Sequence, residues 1–222
     1  MEMDEKSKTV ASILLMVTGM AIVGVIDNFV KFIAIEIGLW QFHFLRSLIA
    51  VPVIVLFGLA VGWKLKPKRI WPVLGRNMFL ASAMFIYFGS LGFFPISAVA
   101  AGLFTAPVLV MLIDAVWSRR AIGPIRLMTA FAGFVGTLMV LNPEVGGLSW
   151  ANLIPVIAGL MYAFGNVATR KWCEGESAVA LLWSYMFLML VFGGIGILYF
   201  YFIPGDQNNY LTRAWVWPSF QV

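Results

Sequence analysis

Residues 39–62 read LWQFHFLRSLIAVPVIVLFGLAVG, an apolar stretch whose one formal charge is Arg46. A bilayer core is about 30 Å thick, and a helix needs about 20 apolar residues to cross it. Open strands and loops in lipid would leave backbone groups without hydrogen-bond partners, so a stretch of this kind must be helical. The sequence therefore predicts a transmembrane helix here.

Six further apolar stretches accompany this one, and together they predict seven membrane spans. They cover residues 9–33, 77–94, 97–117, 127–141, 150–169 and 178–203. Hydrophobic residues make up 62% of the chain and charged residues 11%. None of the stretches alternates with the period of two that a barrel strand requires. The predicted fold class is an all-α integral membrane protein, a polytopic transmembrane helix bundle.

The placement of the basic residues predicts the orientation of these spans. Twelve lie beside the N-terminus or in the loops after the second, fourth and sixth spans, and Arg213 lies on the other side. The twelve are Lys6, Lys8, Lys64, Lys66, Lys68, Arg69, Arg76, Arg119, Arg120, Arg126, Arg170 and Lys171. Cytoplasmic loops carry such an excess. We therefore expect a multi-pass protein of a bacterial-type plasma (inner) membrane, with a cytoplasmic N-terminus. The net charge of +5 needs no nucleic-acid partner.

The sixth and seventh spans resemble the first two. A shift of 140 positions pairs Ala11 with Ala151, Gly19 with Gly159 and Lys31 with Lys171, and a shift of 143 pairs Trp40 with Trp183 and Phe44 with Phe187. Five crossings precede the second copy, so it would run through the membrane in the opposite direction, as in inverted-repeat transporters. This predicts a five-helix repeat over residues 1–143 and an incomplete second repeat over 144–222, with two helices and an outer tail. The alternative is chance similarity between apolar sequences.

Charged and polar residues inside the first two spans are candidates for a functional site. Asp27 and Lys31 are four residues apart on one helix face, which permits an ion pair. Asp27 and Arg46 both lie about 10 Å from the outer ends of their helices, counting 1.5 Å per residue. Asn28 adds hydrogen-bonding capacity in the same layer. Charges in lipid normally mark a transport pathway, and a structural clamp between the two helices is the alternative.

The sixth span carries a polar stripe that includes Tyr162 and Asn166. Such a stripe either lines a cavity or cross-links neighbouring helices, and we favour a cavity. On the fourth span, Asp114 is expected to form an ion pair with the nearby Arg119 or Arg120.

The chain has one histidine and one cysteine, which limits the metal sites and catalytic groups that it can form. A lone histidine near a helix end is usually solvated, and a proton relay through His43 is the less favoured alternative. The single Cys173 excludes an intrachain disulfide and a multi-cysteine metal site, and we interpret it as an inert thiol. No metal site, cofactor or catalytic group is indicated, so we expect no enzyme.

Three stretches resemble the EamA-type transporters of the drug/metabolite transporter superfamily. Residues 42–50 read FHFLRSLIA, residues 96–107 read ISAVAAGLFTAP, and residues 133–143 read GFVGTLMVLNP. Lys31 falls where many members carry a lysine in the first helix. The resemblance implies ten helices in two inverted repeats, cytoplasmic termini and a central cavity that works by alternating access. The sequence departs from the family pattern at two points. Residues 118–120 read SRR, where the family usually has a glutamate–arginine pair, and helices eight to ten are absent.

The function predicted from these features is transport of small polar or amphipathic metabolites by alternating access. Asp27, Lys31 and Arg46 would gate or bind the substrate. The alternatives are a non-transporting truncated remnant, or a half-repeat that needs a partner chain; a homodimer is a further expectation. A seven-helix receptor-like protein is disfavoured, because the last span has no lysine for a Schiff base and the N-terminus is expected inside.

Overall fold

The computed structural model describes residues 38–91, 94–119, 122–141 and 153–202, together with scattered helical positions between residues 9 and 25. These residues form helices, turns and coil, and no β-strand occurs among them. The helices are α1 (Leu39–Val61), α2 (Ile70–Ser90), α3 (Ile96–Leu103), α4 (Ala106–Ser118), α5 (Pro124–Leu141), α6 (Ile154–Trp172) and α7 (Ala178–Phe202). They correspond to the second to seventh predicted spans, with the fourth span divided in two.

Long apolar helices confirm the predicted fold class. Within the described ranges, three stretches are long and apolar enough to cross a membrane: 39–61, 96–118 and 178–202. The outer side of α1 presents apolar side chains, with Ile49 and Leu56 both 69% exposed. Large apolar side chains on the outside are costly in water and are expected against lipid. The other crossings remain predictions.

Three helices differ from the predicted spans by three or more residues at one end or both. Helix α5 begins at Pro124 rather than at residue 127. Helix α2 covers Ile70–Ser90 rather than residues 77–94, and α6 covers Ile154–Trp172 rather than residues 150–169. The prediction ended each span near its first basic residue. In the structure, both helices extend past Arg76 and Arg170, because a helix backbone tolerates polar residues at its end once the apolar run supports it.

The fourth predicted span is interrupted, whereas the second is continuous. Phe104 and Thr105 form a turn between α3 and α4, and the Thr105 Oγ1 donates to the Gly102 carbonyl at 2.7 Å. Pro107 lacks the N–H that would bond the carbonyl of Leu103, which favours a break at this point. Pro52 lies inside α1 without interrupting it.

Helices α6 and α7 hold the bundle together. Helix α6 packs on α2, α3 and α4, and α7 packs on α1 and α2. Glycines allow these approaches: a Cβ on Gly193 of α7 would lie 2.8 Å from the backbone nitrogen of Phe44 on α1. Small residues at such contacts are the usual means of helix association in lipid, where the hydrophobic effect offers little drive.

The helices alternate in direction, so the bundle has two distinct ends. The end that carries the 62–69 loop, with Lys64, Lys66, Lys68 and Arg69, is called the basic end below. The C-terminal ends of α4 and α6 lie at the same end.

Candidate functional site

Two arginines lie within the described helices α1 and α2, and one of them, Arg76, donates hydrogen bonds to groups of three helices. The Arg76 Nε donates to Thr169 Oγ1 at 2.8 Å, and its Nη1 donates to Asn77 Oδ1 at 2.7 Å. The same Nη1 is 3.5 Å from the Leu181 carbonyl oxygen, and the Asn77 amide donates to Ser184 Oγ at 3.1 Å. This Arg76 network joins α2, α6 and α7 near the basic end.

An ion pair ties α4 to α6 at the same end. The Lys171 Nζ lies 3.1 Å from Asp114 Oδ1 and donates to Ser118 Oγ at 2.5 Å. The structure thus confirms the expected ion pair at Asp114, with Lys171 rather than Arg119 as its partner among the described residues, and Arg120 lies outside them. Helix α6 packs against α4 and brings Lys171 to the carboxylate, whereas Arg119 caps the end of α4 with a left-handed φ of 50°.

The second arginine, Arg46 of α1, has donors without a hydrogen-bond partner among the described residues. Its side chain is half-buried, and its Nε and Nη2 are buried without a hydrogen-bond partner. The guanidinium carbon lies 5.6 Å from the ring centroid of Phe42, one turn earlier, and the group also interacts with the Tyr185 side chain of α7. Arg46 thus lies inside the bundle with hydrogen-bonding capacity to spare.

Two neighbours of Arg46 share this property. His43 and Ser47 are both fully buried, and in the part of the chain that the structure describes neither His43 ring nitrogen nor the Ser47 hydroxyl has a hydrogen-bond partner. His43, Arg46 and Ser47 follow the spacing i, i+3, i+4 and therefore share one helix face. We call these three residues the orphan-donor face. Gln41 Nε2 and Trp183 Nε1 are also buried without partners, at other places in the bundle.

The expectation that His43 is solvated is wrong. Its ring packs edge-on against three phenylalanines, with centroid distances of 5.4 Å to Phe42, 4.7 Å to Phe85 and 5.1 Å to Phe88. The last two belong to α2, so the packing of α1 near α2 removes the imidazole from solvent. An apolar environment makes the missing hydrogen bonds of this ring costly.

Other hydroxyls in the described helices show how unusual Ser47 is. Ser90, Thr169 and Ser184 each donate to the carbonyl four residues earlier, at 2.6, 2.7 and 2.7 Å. This bond is the common solution for a hydroxyl in an apolar helix. Ser47 has the same option in an uninterrupted helix and does not use it.

The predicted residues on the sixth span have different surroundings. Tyr162 is 36% exposed, and its side chain interacts electrostatically with Tyr185 and Arg76. The Asn166 amide donates to the carbonyl of Tyr162 at 2.8 Å, within its own helix. Tyr185 therefore interacts with both Arg46 and Tyr162, two of the predicted site residues.

The remaining predicted residues, Asp27, Asn28 and Lys31, lie outside the described residues. Sequence reasoning did not single out Ser47 or Tyr185. Ser47 could have been found from its position one turn after His43 and next to Arg46. Tyr185 has no such signal, because only tertiary packing brings α7 to α1.

Cys173 lies in the turn between α6 and α7 and is 4% exposed. Burial raises the pKa of its thiol, which lowers the thiolate fraction. This supports the interpretation of an unreactive thiol.

Comparisons with known proteins point to transporters. The chain is 25% identical over 166 residues to a riboflavin transporter of Rhizobium johnstonii, covering 74% of this chain and 54% of that protein. It is 24% identical over 157 residues to a riboflavin transporter of Brucella anthropi, covering 71% and 54%. It is 22% identical over 177 residues to an S-adenosylmethionine uptake transporter of Rickettsia bellii, covering 80% and 56%.

The chain thus spans about half the length of these relatives. No protein-family model matches it. No solved structure matches it significantly. The helical fold and these relatives together describe a multi-pass membrane protein similar to small-molecule transporters.

Proposed function

We propose that this chain takes part in the transport of small polar or amphipathic metabolites across a bacterial-type plasma membrane. The observation that carries the proposal is the orphan-donor face. A charged guanidinium with unpaired donors inside an apolar bundle is expensive and normally marks a substrate pathway. The relatives named as riboflavin and S-adenosylmethionine transporters support the same function.

Alternating access of an EamA-type, inverted-repeat transporter is the proposed mechanism. The Arg76 network and the Lys171–Asp114 pair join α2, α4, α6 and α7 near the basic end. Arg46 lies about 10 Å from the other end of α1, seven residues after Leu39. These ties favour a conformation closed at the basic end, which we propose to be cytoplasmic, and rocking of one repeat against the other would break them. Asp27, Asn28 and Lys31 are proposed to complete the site on the first span, with Asp27 and Lys31 paired so that they add no net charge.

A second candidate is supported by the length of the chain relative to its relatives. The resemblance implies three more helices, and the match covers about half of each relative. In this case the 222 residues alone do not transport and need further helices, from a longer chain or from a partner such as a second copy.

Uptake measurements test both candidates. The 222-residue chain, and the chain extended by the reading frame that follows Val222, are expressed in bacteria, and uptake of radiolabelled riboflavin and S-adenosylmethionine is measured. Replacing Arg46 by alanine should abolish uptake while the protein remains in the membrane fraction, because the site loses its charge. Lys64→Ala, which removes a charge from the exposed loop, is the matched control and should transport normally.

The outcomes separate the candidates. Uptake by the extended form alone supports the second candidate. Transport of no solute by either form, or normal uptake of a transported solute by the Arg46→Ala variant, contradicts the proposed function.

A further inference from the structure

We infer that the orphan-donor face binds a neutral or anionic heteroaromatic solute rich in hydrogen-bond acceptors, of the kind that riboflavin represents, and disfavours cationic solutes such as S-adenosylmethionine. This inference rests on the proposed function and deepens it, since it assigns the substrate chemistry to named side chains.

The unsatisfied groups of the face are mainly donors. Arg46 contributes two guanidinium nitrogens, which have no acceptor capacity, and Ser47 contributes a hydroxyl. His43 contributes an imidazole that presents at least one N–H. A solute that approaches this face must therefore offer acceptors such as carbonyl oxygens and ring nitrogens. An isoalloxazine ring carries both on one edge.

Aromatic side chains surround the same donors. Phe42, Phe85 and Phe88 pack around His43, and the Arg46 guanidinium lies over the Phe42 ring. Ring faces of this kind bind planar solutes by stacking, and apolar walls strengthen hydrogen bonds by excluding water. The combination suits a flat heterocycle better than a flexible aliphatic chain.

The charges of the described helices are unfavourable for a cation. Arg46 is unneutralised at its Nε and Nη2 atoms, and Arg76 lies on the neighbouring α2. In α1–α7 the one carboxylate is Asp114, and Lys171 already pairs with it. A sulfonium solute would therefore meet positive charge without a free carboxylate in this part of the chain. Riboflavin, uncharged at neutral pH, meets no such repulsion.

Buried donors without a partner also affect the stability of the protein. A polar group that hydrogen-bonds only to a ligand destabilises the ligand-free protein, because its hydrogen bonds are unmade. A polar group that hydrogen-bonds within the fold stabilises the ligand-free protein. Removing the group therefore distinguishes the two roles.

The test uses purified protein in lipid nanodiscs, in the form that supports uptake, with riboflavin and S-adenosylmethionine as probes in equilibrium dialysis. Wild type should bind riboflavin at least about tenfold more tightly than S-adenosylmethionine. His43→Leu and Ser47→Ala should each weaken riboflavin binding about fivefold to tenfold, the effect of one lost hydrogen bond. Without ligand, each variant should melt about 3 °C higher than wild type. His43→Gln, which keeps an N–H donor, should retain more of the binding than His43→Leu.

Two variants that each remove one positive charge test the selectivity for riboflavin over S-adenosylmethionine. Arg46→Gln should reduce the preference for riboflavin over S-adenosylmethionine about tenfold, because the repulsive charge is gone while donors remain. Lys64→Gln removes the same charge from the exposed loop and should leave the preference unchanged.

Several results would overturn the inference while leaving the proposed function intact. These are tight binding of S-adenosylmethionine, unchanged riboflavin binding in the His43 and Ser47 variants, or lower melting temperatures in both. The inference is also overturned if the protein binds neither probe but transports another solute. If no form of the protein transports any solute, the proposed function fails as well.

Discussion

Arg46 and Arg76 are chemically identical and lie at similar distances from the ends of their helices, yet the structure gives them different roles. Arg76 is held by Thr169, Asn77 and the Leu181 carbonyl. The Arg46 Nε and Nη2 have no partner among the described residues. Buried polar groups are normally hydrogen-bonded, so the unpaired donors of Arg46 need an explanation that Arg76 does not. The proposed role of Arg46 is therefore substrate binding, whereas Arg76 joins helices.

Replacing Arg76 by alanine should lower the free energy of unfolding by about 3 kcal/mol, because hydrogen bonds to a charged group are lost and Asn77 Oδ1 is left unpaired. Unfolding by SDS, followed by circular dichroism, measures this. Lys66→Ala in the exposed loop is the control and should change little. An Arg76→Ala variant as stable as wild type would contradict the structural role.

At the scale of the element, small residues determine where helices can touch. The sequence contains several pairs of small residues four apart, including Gly102 with Ala98 and Gly136 with Ala132. The structure uses only some of them. A Cβ on Gly102 of α3 would lie 2.5 Å from the backbone carbonyl carbon of Pro155 on α6, whereas one on Gly136 of α5 would meet nothing within 4 Å.

Gly102→Ala should therefore lower the melting temperature by several degrees, because the backbone of α6 must move away and the α3–α6 contact is lost. Gly136→Ala adds the same methyl group to an exposed helix position and should be neutral or slightly stabilising, since alanine favours the helix. Melting of both variants in one detergent gives the comparison. Equal melting temperatures would show that the α3–α6 approach is looser than described.

At the scale of the whole molecule, a carboxylate joins two loops that are far apart in sequence. Glu176, after α6, accepts the backbone N–H groups of Lys68 and Arg69 at 2.8 Å each. The Arg69 Nη2 also donates to the Trp172 carbonyl at 2.6 Å. The hydrogen bond from Lys68 contributes most to lowering the pKa of the Glu176 carboxyl. The carboxylate thus binds the two backbone amides directly before α2 and joins the start of α2 to the α6–α7 turn.

Glu176→Ala should increase hydrogen exchange at the Lys68 and Arg69 amides at neutral pH, because both lose their acceptor. Glu174→Ala, in the same turn and exposed, is the matched control and should leave those amides protected. Because the folded pKa of Glu176 is depressed, its stabilisation is present above the ordinary carboxyl pKa and is lost as pH falls through the lowered value. Equal exchange in the two variants would contradict the role of Glu176.

The helices, the membrane class and the unusual Arg46 followed from the sequence alone. These features depend on local composition, because the length of an apolar span and a charge within it can be recognised without knowing which helices pack against it. Pro107 lies just after the turn where α3 and α4 separate, although the sequence does not distinguish it from Pro52, which leaves α1 uninterrupted. The effect of Pro107 is local, because it removes a hydrogen bond within the same helix.

The tertiary structure decided which polar atoms are satisfied. Contacts between different helices determine the Lys171 partner of Asp114, the burial of His43 and the hydrogen bond from Arg76 to Thr169. Apolar helices can pack together in many ways in lipid, so periodicity does not determine which faces meet. Whether a buried donor has a partner is a property of such contacts, and it separates the arginine that supports the fold from the one proposed to bind the substrate.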